Sequence, residues 1–568
     1  MNRYIIQAGI IFLLAGTFAC KNDFLEYDYA VDGTISEEQV FASNEHARNF
    51  LNNAYRGLLA GGNADFRYNL NGELGLATGC DEAVSALPGA AINVLNNGNW
   101  SPTLLYDDVY VQQYRSLRAV NIFLKNAETS ALIDDATLSK QTLIGEAHFL
   151  RAMFHFELLK RYGGVIIADK PFSLEDNLDL PRNTFDEVAA HIVADCDRAA
   201  SLISYETTSD HGSALKGRAT KVAALALKSR TLLYAASPLN NSENDISKWQ
   251  AAADAAKAVI ELAGAKHGLL TLSELPNLWN YGTLAFNREV IFASETLSAT
   301  TLDVNNAPPS YTDGRGRTNP TQELVDAFEM KATGKNIHEP GSGYDPEYPY
   351  KGRDDRFAMF INHHDLVFRG VRIDTRVGKK DNNPQAAVDR TTATGYYMRK
   401  FLNTTNTAAT RRVYVFFRYA EILLNYAEAL NEIGAVPLQE VYDAVNAVRR
   451  RRGLSADASG LAALQSTDAK GNGYVPPTRE DMRLRIRNER RVELCFEEHR
   501  FFDVRRWKLG GQSFNKPVTG VRITGEEAPF NYTYFTVQDR TFSDKMYRFP
   551  FAQTQLAKAP LLGQNTGW

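Results

Sequence analysis

The sequence predicts a mostly α-helical protein in which helix pairs stack on one another, interrupted by long irregular insertions and minor β-hairpins. Two observations lead to this fold class. Apolar residues recur at spacings of three and four over several segments, which is the period of a helix with one buried face. Two other stretches, about 264–412 and 510–551, are rich in Gly, Pro, Asn, Asp and Tyr and contain only short strand-like runs. Loops of this length in a compact protein are usually functional.

The composition is that of an ordinary globular protein. Of the 568 residues, 44% are hydrophobic and 23% are charged, which excludes a globally disordered chain. The formal net charge is −4, so the protein as a whole has no field that would attract nucleic acid, and we expect no nucleic-acid partner. The four cysteines include no CxxC pair, so the pattern indicates neither a zinc cage nor a disulfide scaffold.

The first twenty residues have the layout of a bacterial lipoprotein signal. Arg3 precedes an apolar run, Tyr4–Phe18, which is shorter than the roughly 20 residues that a bilayer span needs. The run leads to Cys20 and resembles a lipobox, although Thr17 stands where that motif usually has Leu. We therefore predict a signal peptide over residues 1–19 and an acyl anchor on Cys20. An ordinary secretory signal with an incidental cysteine is the alternative.

The residues after the cysteine indicate where the anchor is delivered. Lys21 rather than Asp follows Cys20, which in the lipoprotein resemblance argues against retention at the inner membrane. Asp23 and Glu26 resemble the acidic signal that sends some lipoproteins to the cell surface. We therefore expect an outer-membrane protein that is anchored by lipid and faces the exterior of the cell.

Several segments show the helical period in turn, with Gly or Pro at their ends. One of them should stop at Gly163-Gly164, and Thr184 with Glu187 forms a capping box ahead of the next. Short strand-like runs are also predicted, such as Val290–Ala293 and Val413–Phe417. The predicted helical segments, in chain order, are Leu104–Phe123, Leu143–Leu158, Phe185–Ala199, Val222–Ala236, Trp249–Val259, Ala420–Leu430 and Val441–Val448.

The last two of these segments resemble a tetratricopeptide unit. Residues 426–430 are Tyr-Ala-Glu-Ala-Leu, Gly434 follows them, and the second helix should end at Gly453. Such units repeat at about 34 residues and stack into a superhelix, because one helix pair cannot bury both of its apolar faces alone. The resemblance implies a tetratricopeptide-like helical-repeat superhelix whose period is broken by the insertions.

Longer motifs carry a more specific resemblance. They are Glu146–Ala152, Arg161–Val165, Asn319–Phe328, Arg353–Phe357, Arg418–Glu428, Ile486–Trp507 and the closing Gln564–Trp568. These segments are similar to the SusD/RagB family of nutrient-binding outer-membrane lipoproteins. One departure is Glu498, where the family commonly has Gly, and we expect it to affect only a turn.

The resemblance implies a binding protein with no catalytic activity and no cofactor. Such a protein captures a glycan or oligosaccharide, or in some members a peptide, and lies over a SusC-like TonB-dependent transporter. A glycan-degrading enzyme and a structural adaptor for protein segments are the other classes. The implied parts are the signal peptide 1–19, an N-terminal SusD-like helical region 20–265, a loop-rich insertion 266–412 that contributes to the ligand surface, and a C-terminal SusD/RagB region 413–568 with a further tetratricopeptide-like pair.

Three carboxylates favour the enzyme class at first sight. Glu489, Glu493 and Glu497 fall at four-residue spacing on one predicted helix, and glycosidases use two carboxylates about 5–9 Å apart. Many arginines lie nearby in sequence, so we interpret the group as a partly buried salt-bridge network. These cations are Arg490, Arg491, Arg500, Arg505 and Arg506. No metal site is predicted, since His363-His364 lacks the i, i+4 spacing of a helical metal pair.

Sugar capture needs flat apolar faces together with polar or charged groups for the hydroxyls. Trp100 follows an Asn-rich segment, and in the family the region of Asp81 and Trp100 often contributes to the ligand surface. The long insertion adds aromatic residues and one arginine between glycines. Simple packing is the alternative for each aromatic residue. The predicted ligand-binding residues are Asp81, Trp100, Trp279, Tyr281, Tyr311 and Arg315.

Overall fold

The structure of the protein is a computed structural model. It describes residues 36–58, 75–129, 139–173, 175–211, 217–280, 287–295, 300–311, 313–384, 390–403, 412–434, 438–450 and 478–568. The predicted signal peptide and Cys20 lie outside these residues.

Helices dominate the described chain. Short 3₁₀ turns occur at Arg56–Leu58, Thr208–His211, Leu275–Asn277, Asp544–Tyr547 and Pro560–Leu562. The α-helices are α1 Glu37–Phe41, α2 Asn44–Tyr55, α3 Gly75–Thr78, α4 Asn93–Asn96, α5 Tyr110–Thr129, α6 Lys140–Tyr162, α7 Phe185–Leu202, α8 Lys221–Ala236, α9 Ile246–Ala263, α10 Thr300–Asn306, α11 Gln322–Ala327, α12 Asp355–Phe360, α13 Tyr419–Ile433, α14 Gln439–Arg450, α15 Arg479–Glu493, α16 His499–Arg506, α17 Gly510–Ser513 and α18 Gln553–Lys558.

The long helices form one continuous stack. From α5 to α9 each helix packs against the next in chain order. Although about 150 residues separate them in sequence, α9 then packs against α13, and α13 contacts α14 and α15. The predicted fold class, a tetratricopeptide-like superhelix with long insertions, is confirmed.

Caps fix the ends of these helices, and two of them, the Gly163 end and the Thr184 capping box, are those that the sequence predicts. In α6 the Ser139 hydroxyl accepts the Thr142 N–H at 3.1 Å, and the helix ends at Gly163, whose φ of 79° favours glycine. In α7 the Thr184 hydroxyl accepts the Glu187 N–H at 3.2 Å, and the Glu187 carboxylate accepts the Thr184 N–H at 2.7 Å. The capping box is confirmed.

The predicted start of α5 is wrong. The helix begins at Tyr110 instead of Leu104. Ser101 forms a local turn with Leu104, whose N–H donates to the Ser101 hydroxyl at 3.1 Å. The helix starts after Asp108, which accepts the Tyr110 N–H at 3.1 Å and so satisfies an otherwise unpaired donor at the helix start.

The described strands form two-stranded antiparallel ladders rather than one sheet. The pairs are β1 with β3, β2 with β8, β4 with β7, β5 with β6, and β9 with β10. The predicted strands at 290 and 413 are β2 and β8, which pair with each other. The strands are β1 Ala83–Ser85, β2 Val290–Glu295, β3 Thr318–Pro320, β4 Ile361–Asn362, β5 Val367–Phe368, β6 Val371–Arg372, β7 Tyr397–Met398, β8 Val413–Arg418, β9 Val518–Thr524 and β10 Asn531–Gln538.

One large apolar core joins the helix stack to the loop-rich insertion, and a second lies between α13, α14 and α15. Within the described part of the chain, no helix combines the length and the apolar character that crossing a membrane requires.

Candidate functional site

Asp81 is part of a buried ion pair. Arg500 donates to both carboxylate oxygens at 2.8 Å, and Arg491 Nη2 lies 3.1 Å from Oδ2. Burial opposes ionisation, but the guanidinium groups of Arg491 and Arg500 hold the pKa of Asp81 well below its usual range. The residue is 2% exposed, so its carboxylate offers no free oxygen to a ligand in this conformation, which corrects the prediction from sequence.

Trp100 is a core residue rather than an exposed loop residue. Its ring centre lies 4.5 Å from that of Phe549 and 5.2 Å from that of Trp568, both edge-to-face. The side chain is 1% exposed. Because the C-terminal segment covers the indole, the predicted stacking face is absent here.

Trp279 is likewise a core residue rather than an exposed loop residue. It is buried, its ring meets Phe401 edge-to-face at 5.0 Å, and Lys400 Nζ lies 5.4 Å from the ring centre. Tyr281 lies outside the described residues.

Tyr311 and Arg315 are the two predicted ligand residues whose side chains are described and partly open to solvent. Arg369 Cζ lies 4.4 Å from the Tyr311 ring centre. The Arg315 N–H donates to the Val304 carbonyl at 2.9 Å, which holds Arg315 beside α10. Their role in ligand binding stays a prediction.

An aromatic surface lies elsewhere in the loop-rich part, where the residues were not predicted. We call it the tyrosine face, and it consists of Tyr344, Tyr348, Tyr532 and Tyr534. Tyr348 is 43% exposed and Tyr534 is 49% exposed, so both side chains are open to solvent. Tyr532 and Tyr534 are two residues apart on β10, so their side chains lie on the same face of the strand. They pair with the buried β9 residues Ile523 and Val521. Both tyrosines therefore lie on the side of the hairpin that faces the protein.

A second aromatic layer supports this face. Tyr350 lies behind it, with its ring centre 5.9 Å from that of Tyr532 and 4.4 Å from that of His363. His363 stacks on Phe357 at 4.9 Å with the two planes 3° apart. Burial lowers the pKa of His363 to about 4, so the imidazole is neutral at physiological pH. The tyrosine face therefore has an uncharged aromatic backing.

Arg353 fixes the base of the same loop. Its guanidinium donates to the carbonyl oxygens of Val325, Phe328 and Pro349 at 2.5–3.1 Å and lies 5.8 Å from the Tyr344 ring centre. These buried carbonyl contacts tie the tyrosine-bearing loop to the C-terminal end of α11 and to Phe328, which directly follows it.

The Tyr532 hydroxyl remains protonated, and charged groups lie around the tyrosine face. Burial, and then the Asp365 carboxylate, raise the pKa of Tyr532 to about 12. Lys351 Nζ lies 5.9 Å from the Tyr348 ring centre, and Arg372 Nη1 lies 3.5 Å from Asp365 Oδ1. Flat rings with hydroxyl donors, carboxylates and cations at the rim provide the groups that bind a hydroxyl-rich ligand.

The sequence contains a signal for this surface. Residues 531–534 alternate polar and tyrosine side chains, and Tyr344, Tyr348 and Tyr350 lie within one short Gly/Pro-rich segment. The two stretches are far apart in the chain, so their meeting is not visible in local patterns.

The carboxylate trio is a buried charge network, as predicted, but its partners differ from those expected. The trio does not share one helix, because α15 ends at Glu493. Arg356 Nη1 lies 2.5 Å from Glu489 Oε1, and Arg418 Nη1 lies 2.7 Å from Glu493 Oε1. Arg418 Nε and Lys400 Nζ bind Glu497 at 2.8 and 2.6 Å.

The arginines predicted to neutralise these three carboxylates bind other residues instead. Arg490 and Arg506 both bind Asp503, at 2.9 and 2.8 Å, and Arg506 also binds Glu428. Within the described chain, no group of three or more His, Cys, Asp or Glu side chains is placed to hold a metal ion.

Family models match two segments of the chain. A model described as the SusD family matches residues 288–568. A model described as starch-binding associating with outer membrane matches residues 82–233. Together they include α5 to α7, most of α8, most of the loop-rich part and the C-terminal region, and α9 lies between the two matched segments.

Curated proteins and solved structures resemble the chain over most of its length. SusD-like protein P2 of Formosa agariphila is 26% identical over 422 residues, which cover 71% of this chain and 72% of that protein. SusD-like protein P25 of the same organism is 23% identical and covers 88% of this chain and 89% of that protein. A SusD-like protein from Bacteroides fragilis has a TM-score of 0.76 at 29% identity, over 97% of this chain and 100% of that chain. A SusD-like carbohydrate-binding protein from the same species has a TM-score of 0.75 at 23% identity, over 93% and 100%.

Proposed function

The chain belongs to the SusD family, and from this premise we propose that it is a cell-surface lipoprotein that binds a glycan and delivers it to a SusC-like TonB-dependent transporter. The names of its relatives support a carbohydrate ligand and an outer-membrane location: one family model is described as starch-binding associating with outer membrane, and one similar structure is of a carbohydrate-binding protein. Cys20 is the proposed anchor. The tyrosine face is the observation on which ligand binding rests.

The tyrosine face suits a sugar better than it suits a small apolar ligand. Pyranose rings present flat CH surfaces that stack on aromatic rings, while their hydroxyls need polar partners around the stack. Tyr348 and Tyr534 provide open rings, and Asp345, Glu347 and Asp365 provide exposed carboxylates nearby.

The buried charges argue for binding without catalysis. A glycosidase needs two carboxylates that flank its substrate. Glu489, Glu493 and Glu497 are between 0% and 6% exposed, and arginine or lysine side chains bind all three. They therefore hold the fold together and do not face a substrate.

Binding is tested with the mature chain carrying Cys20→Ala, so that it stays in solution. Isothermal titration against a panel of oligosaccharides should give a ligand that the chain leaves intact on prolonged incubation. Tyr532→Ala together with Tyr534→Ala should weaken that binding by at least about 5- to 150-fold, since the loss of even one stacking face costs about 1–3 kcal/mol. Leu484→Ala, at a site on α15 that is 63% exposed, is the control.

Unchanged affinity in the double variant would contradict the role of the tyrosine face. Binding of peptides but of no glycan would favour the peptide alternative, and a hydrolysed product would favour the enzyme class.

Delivery is tested in native membranes. The lipidated protein should co-purify in mild detergent with a larger transporter polypeptide, because tethering both proteins in one membrane raises their effective concentration. Purification of the lipoprotein alone under conditions that preserve other membrane complexes would contradict the partnership.

A further inference from the structure

Strand β10 forms an open edge of the β9–β10 hairpin. Among the residues that the structure describes, β9 is the only strand that pairs with it. The far side of β9 is covered. There the Val521 N–H donates to the Thr394 carbonyl at 2.8 Å, and the Ile523 carbonyl accepts the Val377 N–H at 3.0 Å. The ladder is therefore protected along β9 and open along β10.

The same two hydrogen bonds indicate which backbone groups of β10 point outward. Opposite residues of an antiparallel pair either exchange both of their hydrogen bonds or turn both away from each other. Val521 and Ile523 turn theirs away from β10, and they stand opposite Tyr534 and Tyr532. Thr536 follows the same alternation two residues later. The N–H and C=O groups of these three β10 residues therefore point away from β9, and no backbone group of the described chain binds them.

The open edge is accessible on both faces of the strand. Thr533 is exposed on the outer face, and Tyr534 and Thr536 are exposed on the face that points to the protein. The body of the protein therefore recedes from β10 at this edge and leaves room for another strand. Natural proteins usually protect such an edge with lysine, proline or a bulge. β10 contains no charged residue and no proline, and its ladder is regular from Asn531 to Thr536.

We propose that the edge of β10 binds β10 of a second copy of this chain, so that the two hairpins form one continuous antiparallel sheet. The proposal goes beyond the proposed function, since it concerns self-association. A two-fold axis at Tyr534 sets the register, because only this register pairs all of the outward-facing residues within the regular ladder. Tyr534 then lies opposite the second copy's Tyr534, and Tyr532 lies opposite its Thr536. The tyrosine faces of the two copies lie side by side on the same surface of this sheet.

The side chains of β10 and of its turn suit this arrangement. Thr533 lies opposite the second copy's Phe535, and pairs of a β-branched and an aromatic residue stabilise antiparallel sheets. Glu526 and Glu527 are exposed in the turn of the hairpin. Antiparallel pairing places the two acidic turns at opposite ends of the sheet, whereas parallel pairing would bring them together. A two-fold contact also uses the same edge in both copies, so association stops at the dimer.

Self-association is measured by sedimentation equilibrium of the mature chain carrying Cys20→Ala, with no glycan present. We expect a monomer–dimer equilibrium with a dissociation constant on the order of 10–100 µM, as is typical of a small interface. Protein concentrations of about 1–300 µM cover this range. A single monomeric species at every concentration would overturn the proposal.

Charges introduced at Tyr534 test the register. Tyr534→Lys and Tyr534→Glu each place two like charges opposite each other at the two-fold axis, so each variant alone should dimerise roughly 10-fold or more weakly than the wild type. An equimolar mixture of the two variants should recover the dimer, because opposite charges then face each other. Wild-type dimerisation of either variant alone, or a mixture that stays monomeric, would contradict the proposed pairing.

A second pair of variants tests the backbone of the edge. Thr536→Pro removes an N–H group that faces away from β9, so the hairpin ladder keeps its hydrogen bonds. Thr536→Ala keeps that N–H group and is the matched control. Thr536→Pro should weaken dimerisation by roughly 10-fold or more, and Thr536→Ala should weaken it by less than about threefold.

Equal dissociation constants for Thr536→Pro and Thr536→Ala would count against the β10 edge as the contact. Melting temperatures monitor folding, and the variants at the exposed Tyr534 decide the question if Thr536→Pro is unstable. Because all of these measurements are made without glycan, their failure leaves the proposed glycan-binding function standing.

Discussion

Glu82 is a fully buried carboxyl group that the fold keeps protonated at neutral pH. Its Oε2 accepts the Phe496 N–H at 3.1 Å, while Oε1 has no hydrogen-bond partner among the described residues. Burial, aided by the adjacent Asp81 carboxylate, raises the pKa of Glu82 from 4.5 to about 8. Glu82→Gln keeps the shape of the neutral acid and cannot ionise, so it isolates the effect of this proton.

The direction of the pH effect follows from which state holds the proton. Between pH 4.5 and about 8 the unfolded chain releases it and the folded protein retains it. The stability that protonated Glu82 contributes is therefore fully present below pH 4.5 and is lost as the pH rises to about 8. At about 1.4 kcal/mol per pKa unit, the loss is at most about 5 kcal/mol, and we expect a measured value of a few kcal/mol.

The loss is measured by urea unfolding of the wild-type chain and of Glu82→Gln at about pH 5, 6.5 and 8. The difference in the free energy of unfolding between the two proteins isolates Glu82, because the contributions of the other titrating groups cancel. The free energy of unfolding of the variant should rise relative to the wild type by a few kcal/mol from the lowest to the highest pH. Glu347→Gln, at an exposed carboxylate, should follow the wild type at every pH. A difference between Glu82→Gln and the wild type that does not change with pH would refute the assignment of a buried neutral acid.

Two further predictions follow from the structure, and a third follows from the predicted lipoprotein signal. Trp100→Ala should lower the free energy of unfolding by about 3–5 kcal/mol, the usual loss for a buried tryptophan, and an unchanged melting temperature would show that the indole is not in the core. Asp81→Asn should be destabilising by a similar amount, because Arg500 would lose its counter-ion in a buried site, whereas Asp345→Asn at an exposed carboxylate should change stability by less than about 0.5 kcal/mol. Cys20→Ala should move the protein out of the membrane fraction, and a membrane pool that still requires detergent would contradict the lipid anchor.

Local sequence patterns predicted the helices well because each pattern reports contacts within one element. The period of apolar residues and the capping pair Thr184 and Glu187 determine where α7 lies and how it begins, with no information from elsewhere in the chain. The effect of Glu498 could also be predicted from local sequence alone. Its φ of 66° is the left-handed conformation that favours glycine, so the departure from the family falls at a turn residue, as expected.

The candidate site could not be predicted in the same way, because its residues are brought together by long-range contacts. Trp100 follows a polar segment that resembles an exposed loop, yet Trp568 at the far end of the chain covers it. Arg356 and Arg418, rather than the arginines adjacent in sequence, neutralise the carboxylate trio. The tyrosine face joins residues near 344 to strand β10, and no periodic pattern links two such segments.

Buried charged residues outside the tyrosine-bearing loop hold the tyrosine face in position. Arg356 in α12 binds Glu489 and Glu493 in α15, with Nη1 distances of 2.5 and 2.8 Å. Three residues earlier, Arg353 lies beneath Tyr344 and binds backbone carbonyls.

A buried ion pair is weak evidence for added stability, since desolvation offsets the attraction, but its geometry is strict. Here that geometry couples the loop to the helix stack. A binding loop held on a rigid frame loses less conformational entropy when it binds its ligand. Under the proposed function, the loop side chains determine which glycan is bound, while the stack beneath them keeps one shape.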